Sequence, residues 1–229
     1  MLASAAVLRT ILAAAVLAAC SRPAEQTPSS AATSSTLPTS VGMTGDTAGI
    51  ATRADRGRIR GDSAAPLWVV IISDFQCPYC RQWHDEVYPS IVREYVDTRK
   101  VRLAYVNLPL SSHQHAQESA EAAMCAAVQG RFWEMHDALF RTQGRWARME
   151  APRTVFDSLA ASVGIDPAPY RACVESNATR QMVLADAQRV TEAGASVTPT
   201  FFIGSERVEG AMPLPEFRAA LDRALAASR

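Results

Sequence analysis

Leu67 to Ser73 reads Leu-Trp-Val-Val-Ile-Ile-Ser, a near-continuous apolar run of the kind that a strand buried on both faces requires. Directly after it the period lengthens. Trp83, Val87, Ile91 and Tyr95 recur about once per helical turn, which predicts a helix from Cys77 to about Asp97. Pro78 suits its first turn, and Pro89 predicts a kink or a division. Val101–Val106 reads as a second strong strand, and Arg58–Arg60 as a short strand before the first. A long helical stretch follows. Ser111 or Ser112 is expected to cap a helix running to Gly130, and Arg131–Thr142 places Phe132, Met135, His136, Leu139 and Phe140 on one face. Ala151–Val163 ends at Gly164, Asp166-Pro167 opens the next helix, and Asn177–Ala193 stops at Gly194. The chain then returns to strands at Thr200–Ile203 and Arg207–Glu209, around a turn at Gly204-Ser205. A helix from Leu214 to Ala226 closes it. The pattern is α/β: a β-α-β half over 57–107, a helical insert over 108–194 and a β-β-α half over 195–229.

The N-terminus reads differently. Arg9 precedes an apolar stretch from Thr10 to Leu17, too short to span a bilayer and shaped like the core of a signal peptide. Leu17-Ala18-Ala19-Cys20 resembles the lipobox of bacterial lipoproteins, which implies removal of residues 1–19 and acylation of Cys20 as a membrane anchor. An ordinary cleaved signal peptide is the plainer alternative, and either one exports the chain to a place where disulfides persist. Residues 21–52 are dominated by Ser, Thr, Ala and Pro, a composition that cannot bury a core. A disordered tether over 20–56 is expected, with the folded part beginning near Gly57. About thirty such residues reach about 30 Å on average and about 100 Å fully stretched.

The chemistry concentrates at Cys77-Pro78-Tyr79-Cys80, between the strand and the helix. A thiol there meets the positive end of the helix dipole and the free N–H groups of the first turn, which favour a thiolate. Cys80, one turn on, can close a disulfide with Cys77 or resolve a mixed one. A lone Cys-x-x-Cys can also be half of a zinc site, but no second pair stands at metal-binding spacing, so no metal is expected. Lysine plus arginine and aspartate plus glutamate number 23 each in 229 residues, which argues against nucleic acid as a partner.

Three stretches in order complete the picture. They are Ser73-Asp74-Phe75-Gln76-Cys77-Pro78-Tyr79-Cys80, Gln129-Gly130-Arg131-Phe132-Trp133-Glu134-Met135-His136-Asp137-Ala138-Leu139-Phe140, and Val197-Thr198-Pro199-Thr200-Phe201-Phe202-Ile203-Gly204. Residues 57–227 thereby resemble the DsbA/DsbG-like thiol–disulfide oxidoreductases of the bacterial envelope, a thioredoxin fold with an inserted helical domain. The resemblance implies that Cys77 is the exposed nucleophile and Cys80 the more buried resolving thiol. It implies that Thr198-Pro199 is a cis-proline loop facing them, with a backbone edge at Thr198 for an extended substrate peptide. It also implies exported protein or peptide substrates, a membrane redox partner that resets the dithiol, and a place on the periplasmic side of the envelope. No cofactor is expected, and a monomer is the default. The sequence departs from many thioredoxin-fold enzymes at Ile71, where those carry a buried acid that relays protons to the second thiol.

The remaining candidates read more plainly. Cys125 and Cys173 both fall in the insert, and in an oxidising compartment are most simply a structural disulfide, with two buried free thiols as the alternative. His84 reads as a solvated helix residue, His113 and His115 as capping or solvent-facing, and His136 as a satisfied core histidine. Trp68 and Trp83 could line a peptide groove or pack in the core. The favoured function is an oxidase donating the Cys77–Cys80 disulfide to exported proteins. A reductase of oxidised cysteines is the close alternative, and a module holding a soft ion on Cys77, Cys80 and His84 a minor one.

Overall fold

The computed structural model describes residues 47–228. The expected signal segment and the Cys20 anchor lie outside those residues. So does the tether up to residue 46, but not its end: Thr47–Gly57 is a helix (α1). The folded chain thus begins earlier than Gly57. This helix escapes a hydrophobic reading because it buries small residues. Ala54 is fully buried, and at Gly57 a Cβ would stand 2.4 Å from the Ala127 carbonyl oxygen, so only glycine permits that approach.

After α1 come β1 (Ile59–Arg60), β2 (Leu67–Ser73), α2 (Pro78–Glu86), α3 (Tyr88–Ile91), a π-helical turn at Val92–Val96, and β3 (Val101–Asn107). Pro89 divides the predicted long helix as expected, with the break at Val87. The insert comprises α4 (Ala116–Val128), α5 (Phe132–Trp146), α6 (Arg153–Ser162), α7 (Pro167–Glu175) and α8 (Ala178–Glu192). The chain closes with β4 (Thr200–Ile203), β5 (Glu206–Glu209) and α9 (Leu214–Ala227). The sheet order is β1-β3-β2-β4-β5, with β2 and β3 parallel and every other pair antiparallel. That is a β-α-β half and a β-β-α half sharing one sheet, with β2 at its centre and the insert between them.

Both faces of the sheet are covered. On one, Val69, Ile71, Leu103, Tyr105 and Phe201 pack with Trp83 of α2 and Phe217 and Leu221 of α9. Trp83 is therefore core, its ring 4.7 Å from Phe201 and 5.4 Å from Phe217. On the other face Ile72 packs with Leu108, Val190 and Ala195. Trp68 does neither of the things expected of it. It is half-exposed, away from the cysteines, under the Arg102 guanidinium at 4.0 Å.

Gly130, Gly164 and Gly194 follow helix ends with positive φ, as their positions predict, and Asp166 caps α7 by accepting from the Ala168 N–H. The α4 start differs. Ser111 and Ser112 lie in a turn, the helix begins at Ala116, and His115 precedes it. Asp186 of α8 is buried but pairs with Arg58 and accepts from the Asn107 side chain at 3.0 Å, which joins the insert to the end of β3 and to the residue before β1.

Candidate active site

The turn from β2 into α2 is held from four sides. Asp74 accepts from the Gln76 N–H at 2.7 Å with one carboxylate oxygen, a tight Asx turn. Its other oxygen accepts from the Leu110 N–H at 2.9 Å and lies 2.7 Å from His113 Nδ1. Gln76 accepts from the His115 N–H at 2.6 Å, and its amide donates to the Ala147 carbonyl at 3.2 Å. From α5, the Gln143 amide donates to the carbonyls of Phe75 and Cys77, at 2.7 and 2.9 Å. The insert is thus part of the scaffold of the dithiol turn.

Cys77 is the residue before α2, and the Arg81 N–H closes the first turn on its carbonyl at 3.2 Å. Both Cys77 and Cys80 are free thiols and both are buried. The expected exposed nucleophile is therefore nearly covered, at 3 % exposure. The loop at Thr198 causes this, its carbonyl oxygen lying 3.4 Å from the Cys77 sulfur. The Thr198–Pro199 peptide bond is cis. A groove of about 630 Å³ opens on Cys77, bordered by Pro78, Tyr79, His113, Val197 and Thr198. Tyr79 and Val197 stand exposed on its rim.

The two thiols differ electrostatically. The Cys77 pKa is lowered to about 6 by a hydrogen bond from the Cys80 thiol, by the Thr198 hydroxyl and by the N–H groups of Cys80 and Tyr79, against an opposing effect of burial. The Thr198 hydroxyl is buried and has no hydrogen-bond partner in the dithiol state, so it is available to a thiolate. Cys80 is pushed far the other way, by burial first and then by its neighbour Cys77. Near neutral pH the pair therefore holds one thiolate at the groove and one protonated thiol behind it, the arrangement that lets one sulfur attack and the other resolve.

The structure brings Cys77, Cys80, Thr198 and Pro199 together in one site. Cys125 and Cys173 stand apart, disulfide-bonded between α4 and α7 and buried. Ile71 lies buried within β2, paired with Tyr105. His84 departs from its expectation as a solvated residue. It is buried between α2 and α5, where Nδ1 lies 2.8 Å from Asp85 and Nε2 3.2 Å from Asp137. His136 is core as read: burial lowers its pKa to about 4, with its Nδ1 2.8 Å from Asp137. Gln143 and His113 were not among the predicted residues. Gln143 continues the apolar face Phe132, Met135, His136, Leu139, Phe140 of α5, and a polar side chain on such a face was its one signal. His113 carries no local signal, because its partner Asp74 is 39 positions away.

A two-half α/β sheet, a Cys-x-x-Cys pair at a helix start and a facing proline loop together define a thioredoxin fold with a helical insert. The family model described as thioredoxin matches residues 53–223, and the chain belongs to that family. Among solved structures, alpha-DsbA1 of Wolbachia pipientis superposes with a TM-score of 0.67 at 20 % identity, over 75 % of this chain and 92 % of that one. The "Na(+)/H(+) antiporter NhaA 3" of Salinispora tropica is 34 % identical over 176 residues, which is 76 % of this chain but 26 % of that protein. "Putative protein-disulfide oxidoreductase RT0103" of Rickettsia typhi is 26 % identical over 160 residues, 69 % of this chain and 58 % of that protein. The chain thus spans about a quarter of the antiporter's length and just over half of the Rickettsia protein's. No helix among the described residues is long and apolar enough to cross a membrane.

Proposed function

We propose that this protein is a cell-envelope thiol–disulfide oxidoreductase that exchanges the Cys77–Cys80 disulfide with exported proteins, working as an oxidase. The observation that carries the exchange reading is the geometry of the pair, with Cys77 at the start of α2 opening on a groove beside the Thr198 loop and Cys80 buried behind it, an arrangement that lowers the Cys77 pKa to about 6 and raises that of Cys80. A stabilised Cys77 thiolate makes the reduced form more stable, and a stable reduced form makes the disulfide a stronger oxidant. The relative named for protein-disulfide exchange and the DsbA fold support the same reaction class.

In this reading a client thiolate enters the groove and attacks the Cys77 sulfur of the disulfide. The Cys77–Cys80 bond breaks, and Cys80 leaves as a thiolate that takes up a proton, since burial disfavours its charge. A second client thiolate then attacks the client sulfur of the mixed disulfide. Cys77 leaves as the stabilised thiolate, and the client carries a new disulfide. Two electrons remain on the Cys77–Cys80 dithiol, and a membrane redox partner removes them. The exposed Tyr79 and Val197 flank the groove as apolar contacts for an extended client segment, and the Thr198 loop supplies its backbone edge. Acylation of Cys20 would hold the domain at a membrane on the periplasmic side, with residues 21–46 as the link.

The test is the equilibrium reduction potential of Cys77–Cys80 in a glutathione series. The oxidase reading expects about −120 to −180 mV, between DsbA and protein disulfide isomerase. A value near about −270 mV, that of thioredoxin, would replace it with a reductase that rescues oxidised cysteines.

A further inference from the structure

A second cluster of chemistry-bearing side chains lies behind α2, away from the dithiol groove. His84 of α2 and His136 and Asp137 of α5 each point one ligand atom at a common centre, all within 4.8 Å of one another. Asp137 Oδ1 lies 3.2 Å from His84 Nε2 and 2.8 Å from His136 Nδ1. Two nitrogens and one oxygen bound to a tetrahedral zinc ion stand about 3.3 Å apart, so these separations are close to the edges of such a site. Asp85 supplies the outer support, 2.8 Å from the far ring nitrogen of His84, the carboxylate–histidine arrangement that orients a metal-binding imidazole. Both histidines are buried, and their rings are fixed by Tyr88 and Phe140 on either side. A cavity of about 430 Å³, bordered by Arg60, His84, Asp85, Tyr88, Asp137 and Arg141, opens onto the cluster and leaves room for a fourth ligand.

We infer that His84 Nε2, His136 Nδ1 and Asp137 bind one divalent ion of zinc-like preference, clamping α2 to α5. The carboxylates of Asp137 and Asp85 offset the two positive charges within the first two shells. The guanidinium groups of Arg60 and Arg141 at the cavity mouth favour an anionic fourth ligand, hydroxide or chloride, over a neutral one. On binding, His84 keeps its proton on Nδ1, facing Asp85, and His136 carries its own on Nε2. The site is separate from Cys77 and Cys80 and does not depend on the direction of their exchange.

The test is calorimetric titration of the full chain with Zn²⁺, with Cys77–Cys80 oxidised and Cys20 alkylated so that no thiolate competes. The expected result is one equivalent bound, a raised unfolding temperature, and intense visible bands of tetrahedral Co²⁺ when cobalt replaces zinc. Asp137→Asn removes all three responses, while Asp85→Asn weakens binding about tenfold and keeps them. Should Asp137→Asn perturb the fold, His84→Gln, judged by unchanged circular dichroism, gives the same loss. Absence of binding, or zinc binding that Asp137→Asn and His84→Gln leave intact, overturns the site and leaves a hydrogen-bond network alone.

Discussion

Two cysteine pairs in one chain meet opposite surroundings. Cys77 and Cys80 are three residues apart at a helix start, open to a groove and split electrostatically. Cys125 and Cys173 are 48 residues apart, bonded between two helices of the insert and buried in its core. The elements are the same, two sulfurs within bonding reach. What separates exchange from bracing is a groove that opens on Cys77, plus a set of N–H and O–H donors that favour its thiolate. At Cys77 those donors are the Cys80 thiol, the Thr198 hydroxyl and the first-turn amides. At Cys125, already bonded to Cys173, the Thr179 hydroxyl lies 3.4 Å from the sulfur.

The comparison breaks most sharply at Cys77. Cys77→Ser should reduce thiol exchange to the uncatalysed background, and Cys80→Ser should instead accumulate mixed disulfides with clients, read on non-reducing gels. The opposite pair should behave oppositely. Cys125→Ala with Cys173→Ala should leave the exchange rate unchanged and cost about 3–4 kcal/mol of stability, as expected for a loop of that length, measured by denaturant unfolding. Loss of exchange there would mean that the insert disulfide also sets the active-site geometry.

The next effect is a pH dependence of stability in the reduced protein. The folded pKa of Cys77 lies at about 6, below its unfolded value. A depressed acid stabilises the fold above the unfolded pKa, and that contribution fades as pH falls toward 6. Reduced protein should therefore gain about 2–3 kcal/mol relative to oxidised protein between pH 5 and pH 8, read from paired unfolding curves. Cys77→Ser, which has no Cys77 thiolate to form, should show none of this gain between the two pH values. The smallest effect is at Gln143. Gln143→Leu takes the Gln143 donor from the Phe75 carbonyl and leaves the Cys77 carbonyl with the Arg81 N–H alone, and should cost about 1–2 kcal/mol while slowing exchange, because the dithiol turn loses its brace from α5.

How much of this could be read beforehand follows from the range of each interaction. β2 was legible because seven consecutive residues serve one strand, and α2 and α3 because their period and their prolines, Pro78 and Pro89, are local. The Cys-x-x-Cys pair and Thr198-Pro199 were legible as motifs. α1 was not, since Ala54 and Gly57 act by being small, and a small residue carries no hydrophobic signal. His84 misled for a related reason. Its burial comes from α5, whose Asp137 lies 53 positions on, and nothing within α2 announces that partner. The near-complete covering of Cys77 likewise comes from a loop 121 positions away.

The most direct test is a titration of the Cys77 thiolate in reduced protein by its ultraviolet absorbance, with Cys77→Ser as the blank. The predicted result is one thiolate appearing with a midpoint at about 6, absent from the blank, and no second one until far higher pH. Replacing Cys80 with alanine should move that midpoint upward, because the Cys80 thiol is its strongest donor. A midpoint at 9.0, the ordinary value, or equal titration of both sulfurs, would contradict the account.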